Sequence, residues 1–225
     1  MTTRARFKPY SHTPLQNRVD PFGCISAVAA RGLFTGNRGV IHDPATKTLT
    51  GRRWTTKSWI VCSCEWKGKR RETMGRNSPN GKAGWTELFF LDEVTALAAG
   101  HRPCFFCRRT NAKAFATAFS LGNRLVEAKA PKMDAILHRQ RLQSARSGPI
   151  ELTVHELAEL PDGSVVGSRG TAYVRKGSGI LEWSFSGYGS PERLAVLGPC
   201  VLVTPKATVA ALRSGYQPVW HRTAP

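Results

Sequence analysis

Six cysteines carry the most specific chemical signal in this 225-residue chain: Cys24, Cys62, Cys64, Cys104, Cys107 and Cys200. Cys104 and Cys107 form a C-x2-C pair, the spacing that lets two sulfurs reach one tetrahedral ion from a tight knuckle. Cys62 and Cys64 form a C-x-C pair upstream. In an extended Trp59–Cys64 segment residues i and i+2 share a face, so both thiols can turn to the same ion. The expected ligand set is therefore Cys62, Cys64, Cys104 and Cys107. Zinc is the preferred metal because closed tetrahedral thiolate sites suit it, and an iron–sulfur cluster uses the same donors. C-x-C is an uncommon zinc spacing, which leaves Cys24 and His101 as further candidates for the fourth ligand, with Cys64 then a small buried residue. Cys200, beside Val201 and Leu202, reads as a core thiol. A disulfide framework is not expected: the first twenty residues hold Arg4, Arg6, Lys8 and Arg18 without an apolar block, so they lack a secretory core.

Two further groups are candidates for catalysis. Asp134 and His138 stand at i and i+4 in a helical pattern, where a carboxylate can orient an imidazole as a general base. A surface ion pair is the plainer reading. His42 lies with Asn37, Arg38 and Asp43 on a Gly-rich stretch punctuated by Gly32, Gly36 and Gly39, the setting in which catalytic groups often sit. That stretch is not a P-loop, since no Gly-Lys-Ser/Thr follows, yet it can present backbone amides to phosphate.

The charge indicates the kind of partner. Thirty-three Lys and Arg against fifteen Asp and Glu give a formal net charge of +18, which predicts a polyanion. Residues 1–110 hold 19 of the basic and 7 of the acidic side chains, so the surplus is concentrated in the first half. Between the cysteine pairs run Lys67, Lys69, Arg70, Arg71, Arg76 and Lys82, bracketed by Trp54, Trp59, Trp66 and Trp85. Indoles interleaved with cations suit base stacking and phosphate contact, and suit packing around a small module equally well. Asn77-Ser78-Pro79-Asn80-Gly81 reads as a turn or mobile loop.

The elements that must position these residues follow from local signals. Asp92 caps a short helix over Glu93–Ala99, Gly100 ends it, and Pro103 turns the chain toward Cys104. A second helix begins near Cys107 with Arg108 and Arg109 in its first turn, where cations invite an anion. The segment Phe90–Arg109, FLDEVTALAAGHRPCFFCRR, resembles the second half of the metal-binding domain of the Ada family, the bacterial DNA methylphosphotriester repair proteins. The likeness rests on Ala96, Leu97, Ala98, Ala99, Gly100, Arg102, Pro103, Cys104 and Cys107 and covers roughly residues 59–120, most closely 90–109. It implies a four-cysteine zinc site and contact with DNA, with ligand positions at Cys104, Cys107 and Cys62. In that family a cysteine of the first pair also accepts a methyl group from backbone phosphotriesters. Here the first pair departs from the family's C-x3-C and a basic insertion follows it, so the zinc fold and DNA link carry over and the methyl transfer does not.

Farther on, a helix is expected in MDAILHRQRLQSAR, then β-prone runs at Ser164–Val166, Thr171–Arg175, Gly179–Trp183 and Val201–Val203, and a closing helix from Thr204-Pro205 to about Arg213. The expected architecture is α+β: a basic N-terminal domain over 1–120 containing the zinc module (59–120), a helical connector over 121–150, and a small β-rich domain over 151–225. The expected function is that of a zinc-containing DNA-binding protein in DNA repair or damage response. The alternative is a nucleic-acid-processing enzyme, a nuclease, glycosylase or lyase, using His42, Asp134 or His138 beside structural zinc. DNA is favoured over RNA, with phosphates held by Lys67, Lys69, Arg70, Arg71, Arg76, Lys82, Arg102, Arg108 and Arg109. No segment is apolar enough for a membrane span, and the expected location is cytoplasmic and nucleoid-associated.

Overall fold

The capping signal around Asp92 locates the centre of the molecule. Its Oδ1 accepts from the Thr95 amide at 2.9 Å and the Thr95 hydroxyl at 2.8 Å, opening helix α1 (Glu93–Ala98). Gly100 takes φ +83° just beyond it, the left-handed conformation that ends a helix cheaply only at glycine. All six residues of α1 are buried, the signature of a helix enclosed on every side.

In this computed structural model residues 13–65, 68 and 72–225 are described. The fold is α+β. Before α1 the chain forms β1 (Arg18–Val19), β2 (Ile25–Ser26), β3 (Phe34–Asn37), β4 (His42–Asp43), β5 (Thr48–Leu49), β6 (Ile60–Ser63) and β7 (Leu88–Phe90), and after it β8 (Arg102–Pro103). Six of these make a mixed sheet in the order β2-β1-β7-β3-β6-β8, with β4 and β5 a separate hairpin. Helices α2 (Arg109–Gly122) and α3 (Ala130–Ser147) follow. Next come β9 (Ile150–Leu152), α4 (Val154–Ala158), β10 (Val165–Ser168), β11 (Thr171–Lys176), β12 (Gly179–Ser184), β13 (Gly187–Arg193), β14 (Cys200–Leu202) and α5 (Lys206–Arg213). The later strands form a six-stranded antiparallel sheet ordered β13-β12-β11-β10-β14-β9. No helix among the described residues is long and apolar enough to cross a membrane.

Three hydrophobic clusters meet on α1. Ala96 and Ala99 face Val61, Leu88 and Phe90 of the mixed sheet. Leu97 joins Phe115, Phe119, Met133 and Leu137 of α2 and α3 together with Ala211 and Leu212 of α5. Val94 and Ala98 pack with Val165, Val174, Leu181 and Trp183 of the antiparallel sheet. Apolar packing is thus continuous from the N-terminal sheet through the helices to the C-terminal sheet. Cys200 is 5% exposed and pairs with Leu152, inside a cluster with Leu157, Leu160 and Val166, a core thiol as expected.

The two carboxylates at the start of α1 bind the same parts through polar contacts. Asp92 Oδ2 accepts from the Tyr188 hydroxyl at 2.6 Å and the His221 amide at 3.0 Å. Glu93 receives both arms of the Arg108 guanidinium, at 2.8 and 2.9 Å, the Tyr216 hydroxyl at 2.6 Å and the Val219 amide at 2.9 Å. Glu93 is wholly buried and Arg108 nearly so. Removing one member of such a pair strands the other in low dielectric, so Glu93→Ala should cost about 3–5 kcal/mol of unfolding free energy. Chemical denaturation checks this; a companion Glu93→Leu/Arg108→Met variant, which removes both charges, should recover part of the loss, the remainder being the Tyr216 hydroxyl and Val219 amide left without their acceptor.

Candidate metal centre

Strand pairing brings the thiols together. β6 lies antiparallel to β3, with Cys62 opposite Thr35, and parallel to β8, with Val61 opposite Pro103. The Cys104 amide donates to the Val61 carbonyl at 3.0 Å, which sets the start of the knuckle against the strand carrying Cys62. The knuckle closes when the Arg108 amide donates to the Cys104 carbonyl at 3.0 Å and the Phe106 amide to Cys104 Sγ at 3.4 Å. The sulfurs of Cys62, Cys104 and Cys107 lie within 4.8 Å of one another. A tetrahedral zinc ion with bonds of about 2.3 Å holds its sulfurs about 3.8 Å apart, so the cluster is able to hold a metal such as zinc after a small contraction.

The electrostatics of three crowded thiols favour a cation. Hydrogen bonds from Cys107 and Cys62, then backbone amides of Cys107 and Phe106, hold the Cys104 thiol far below its ordinary value. Cys62, which donates to Cys104 and Cys107 and is largely buried, is pushed up. One thiolate therefore forms readily while the next is resisted, and a divalent ion at the centre removes that resistance.

No fourth His, Cys, Asp or Glu joins the cluster among the described residues. β6 ends at Ser63, so the face shared by i and i+2 stops short of Cys64. Its thiol turns to the Leu33 carbonyl at 3.4 Å instead. Cys24 is exposed and outside the cluster. His101 is fully buried, its ring packed against Phe90 and Trp59 at 4.7 and 5.1 Å, and its Nε2 accepts from Arg38 Nε at 3.4 Å. Burial, then the neighbouring Arg38 charge, lowers its pKa.

The basic residues singled out in the sequence divide into three groups. Lys67, Lys69, Arg70 and Arg71, with Trp66, lie outside the described residues. Arg76, Lys82 and Arg109 are exposed. Arg102 and Arg108 are buried in ion pairs: Arg102 forms a two-armed contact with Asp134 at 2.7 and 2.8 Å, and Arg108 engages Glu93. Arg108 is the N-cap of α2, which starts at Arg109 rather than Cys107. The turn at 77–81 is held from within, since the Asn77 side-chain carbonyl accepts from Gly84 at 2.6 Å and its amide donates to the Trp85 carbonyl at 3.0 Å and to Glu87.

The catalytic candidates are engaged elsewhere. Asp134 has its oxygens on Arg102 and on the Ser58 hydroxyl at 2.6 Å, while His138 meets Trp54 edge-on at 5.8 Å. His42 is 2% exposed, with Nδ1 2.6 Å from the Thr86 hydroxyl. The glycines of the upstream stretch serve packing: a Cβ on Gly32 would sit 1.8 Å from the Phe90 carbonyl oxygen, and one on Gly36 2.2 Å from that of Ile60. Sequence reasoning missed Arg141, whose guanidinium lies 4.2 Å from the Trp59 ring centroid, with a second cation, Arg38, over Trp59 at 4.0 Å. Its position past the middle of a helical pattern gave no sign of that contact.

Compared with protein-family models, curated proteins and solved structures, the chain matches none.

The thiol geometry sets an expectation for metal removal. The purified protein should bind one zinc ion per chain, and Cys104→Ser should lose it, measured by metal analysis and chelator competition. Because bound thiolates must shed protons, uptake should release protons and affinity should fall on acidification; full zinc content in Cys104→Ser would overturn the ligand assignment.

Proposed function

We propose that the protein is a zinc-containing DNA-binding protein that acts in DNA repair or damage response. The observation that carries this reading is the convergence of Cys62, Cys104 and Cys107, three positions at which the resemblance to the Ada metal-binding domain implies ligands. Zinc bound there would tie β6 to the knuckle that opens α2 and so fix the exposed Arg109, with Arg76 and Lys82 on the segment between the two cysteine groups. A net charge of +18 supplies the long-range attraction, and contact with phosphates would release counterions from the duplex. DNA is preferred to RNA on the strength of the resemblance. Methyl transfer is not part of the proposal.

A metal-assisted nucleic-acid-processing activity is the second reading. What favours it is the count of three thiols among the described residues, since a three-ligand zinc ion leaves a position for water or substrate. The engaged states of His42, Asp134 and His138 shift the weight of that reading onto the metal itself.

Binding to a labelled duplex should weaken steeply with salt. Each phosphate contact contributes about 0.9 to the log–log slope, so Arg76→Ala/Lys82→Ala/Arg109→Ala should make it shallower by about 2.7. A slope unchanged in the triple variant would remove these residues from the interface. A parallel screen for cleavage of undamaged, abasic, uracil-containing and alkylated oligonucleotides separates the two readings, because turnover lost on zinc removal belongs only to the second.

A further inference from the structure

A second basic feature lies away from the thiols, in a cleft of about 490 Å³ bordered by Trp59, α3 and the segment entering α5. Its lining includes Arg53, Arg141 and Lys206 and not one Asp or Glu. Arg141 is held in place by donating to the Gly100 carbonyl at 2.7 Å and the Lys57 carbonyl at 2.8 Å. Arg38, also over Trp59, is 0% exposed, donates to the Gly23 carbonyl at 2.9 Å and has its Nη2 without a hydrogen-bond partner. The nearest carboxylate influencing Arg141 is Asp134, already engaged with Arg102 and Ser58. Burial, followed by repulsion from Arg53 and Arg141, draws Arg38 down to about 9. Burial draws Arg141 down to about 10. Of these two cations only Arg141 lines the cleft, and an anion bound there offsets part of the cost of its burial.

The rest of the lining describes what the anion is attached to. Phe22 and Ile150, 38% and 41% exposed, are among the large apolar side chains left open to solvent, and both border this cleft. Leu202 and Val203 extend that apolar wall, and Gln143 and Ser144 add neutral polar groups. α5 begins at Lys206 beside the space, and although its Ala207 amide already donates to Gln140 Oε1 at 3.1 Å, the positive end of its dipole adds to the local field. The volume falls within the range of small-molecule sites, about 300–1,000 Å³, and exceeds what a lone inorganic ion fills.

We propose that this cleft takes one nucleotide unit, its phosphate held by Arg53, Arg141 and Lys206 and its base laid against Phe22 and Ile150. None of these residues belongs to the cations assigned to the duplex above, so the cleft is a separate site and stands without the zinc-module reading. The nucleotide arrives either free or as an unpaired unit of a strand.

The test uses the full-length, metal-loaded protein and calorimetric titration at fixed ionic strength. The probes are a 5′-mononucleotide, its phosphate-free nucleoside, a fully paired duplex and a duplex with an unpaired loop. The mononucleotide or the looped duplex should bind at least about tenfold more weakly to Arg53→Ala/Lys206→Ala, a loss of about 1.4 kcal/mol, while Arg193→Ala on β13 should not differ from the parent. The nucleoside should bind more weakly than the mononucleotide. Sensitivity confined to the mononucleotide identifies a free nucleotide; sensitivity of the looped duplex, with displacement by the mononucleotide, identifies a strand. Failure of both probes to bind, or binding that Arg53→Ala/Lys206→Ala leaves unchanged, overturns the site. Paired-duplex affinity that depends on Arg76, Lys82 and Arg109 persists in that case, which keeps the two readings distinguishable.

Discussion

Everything in this molecule leans on two adjacent carboxylates buried at the start of one short helix. Asp92 and Glu93 lie where α1 has unpaired amides, and there a negative charge is favoured by the helix dipole. Burial pushes Asp92 toward its neutral form, and donors from Tyr188, Thr95 and His221 offset only part of that pressure. Glu93 carries the matching load with Arg108, Tyr216 and Val219. The donors come from the metal knuckle's flank, the antiparallel sheet and the C-terminal segment, so the pair closes a polar seam among parts that are otherwise joined by apolar contact. In low dielectric such a network is unforgiving, because each donor left behind is a buried group without a partner.

That seam also determines which cations face solvent. Of the arginines around the knuckle, two are consumed by carboxylates, Arg108 by Glu93 and Arg102 by Asp134. The sequence offers them as equals of Arg109, since charge and spacing are identical in kind. Only burial separates them, and it comes with a carboxylate partner on α1 for Arg108 and on α3 for Arg102. The formal charge therefore overstates how much of the knuckle is available to a phosphate backbone and understates the cleft at Trp59, where Arg53, Arg141 and Lys206 are gathered from distant segments.

How legible was all this in the chain? Local signals read well: the Asp92 cap and Gly100 stop, the apolar face of the long helix within 130–147, the turn-bounded strands at 171–176 and 179–184, and the closing helix before Gly215 all rest on information that neighbours in sequence supply. The N-terminal sheet did not, because strands of two to four residues have too little alternation to register as a period. Of the expected ligand set, Cys62, Cys104 and Cys107 come together, whereas Cys64 depended on a strand continuing one residue past where it stops. The Asp134–His138 spacing was real, but a helix neighbour at i+4 lost to Arg102, whose planar fork fits the carboxylate with both arms.

The last donors to Asp92 and Glu93 have a consequence for synthesis. His221, Val219 and Tyr216 are made about 120 residues after the acids they complete. On the ribosome α1 must therefore wait with its acids hydrated and its apolar faces only partly covered. The N-terminal sheet and the thiol knuckle can assemble early, yet the helix that links them to the rest stays provisional until residues 216–221 emerge. Closure of α1 thus waits on translation of residues 216–221, and the interval before that is when exposed α1 is open to chaperones or to misassembly.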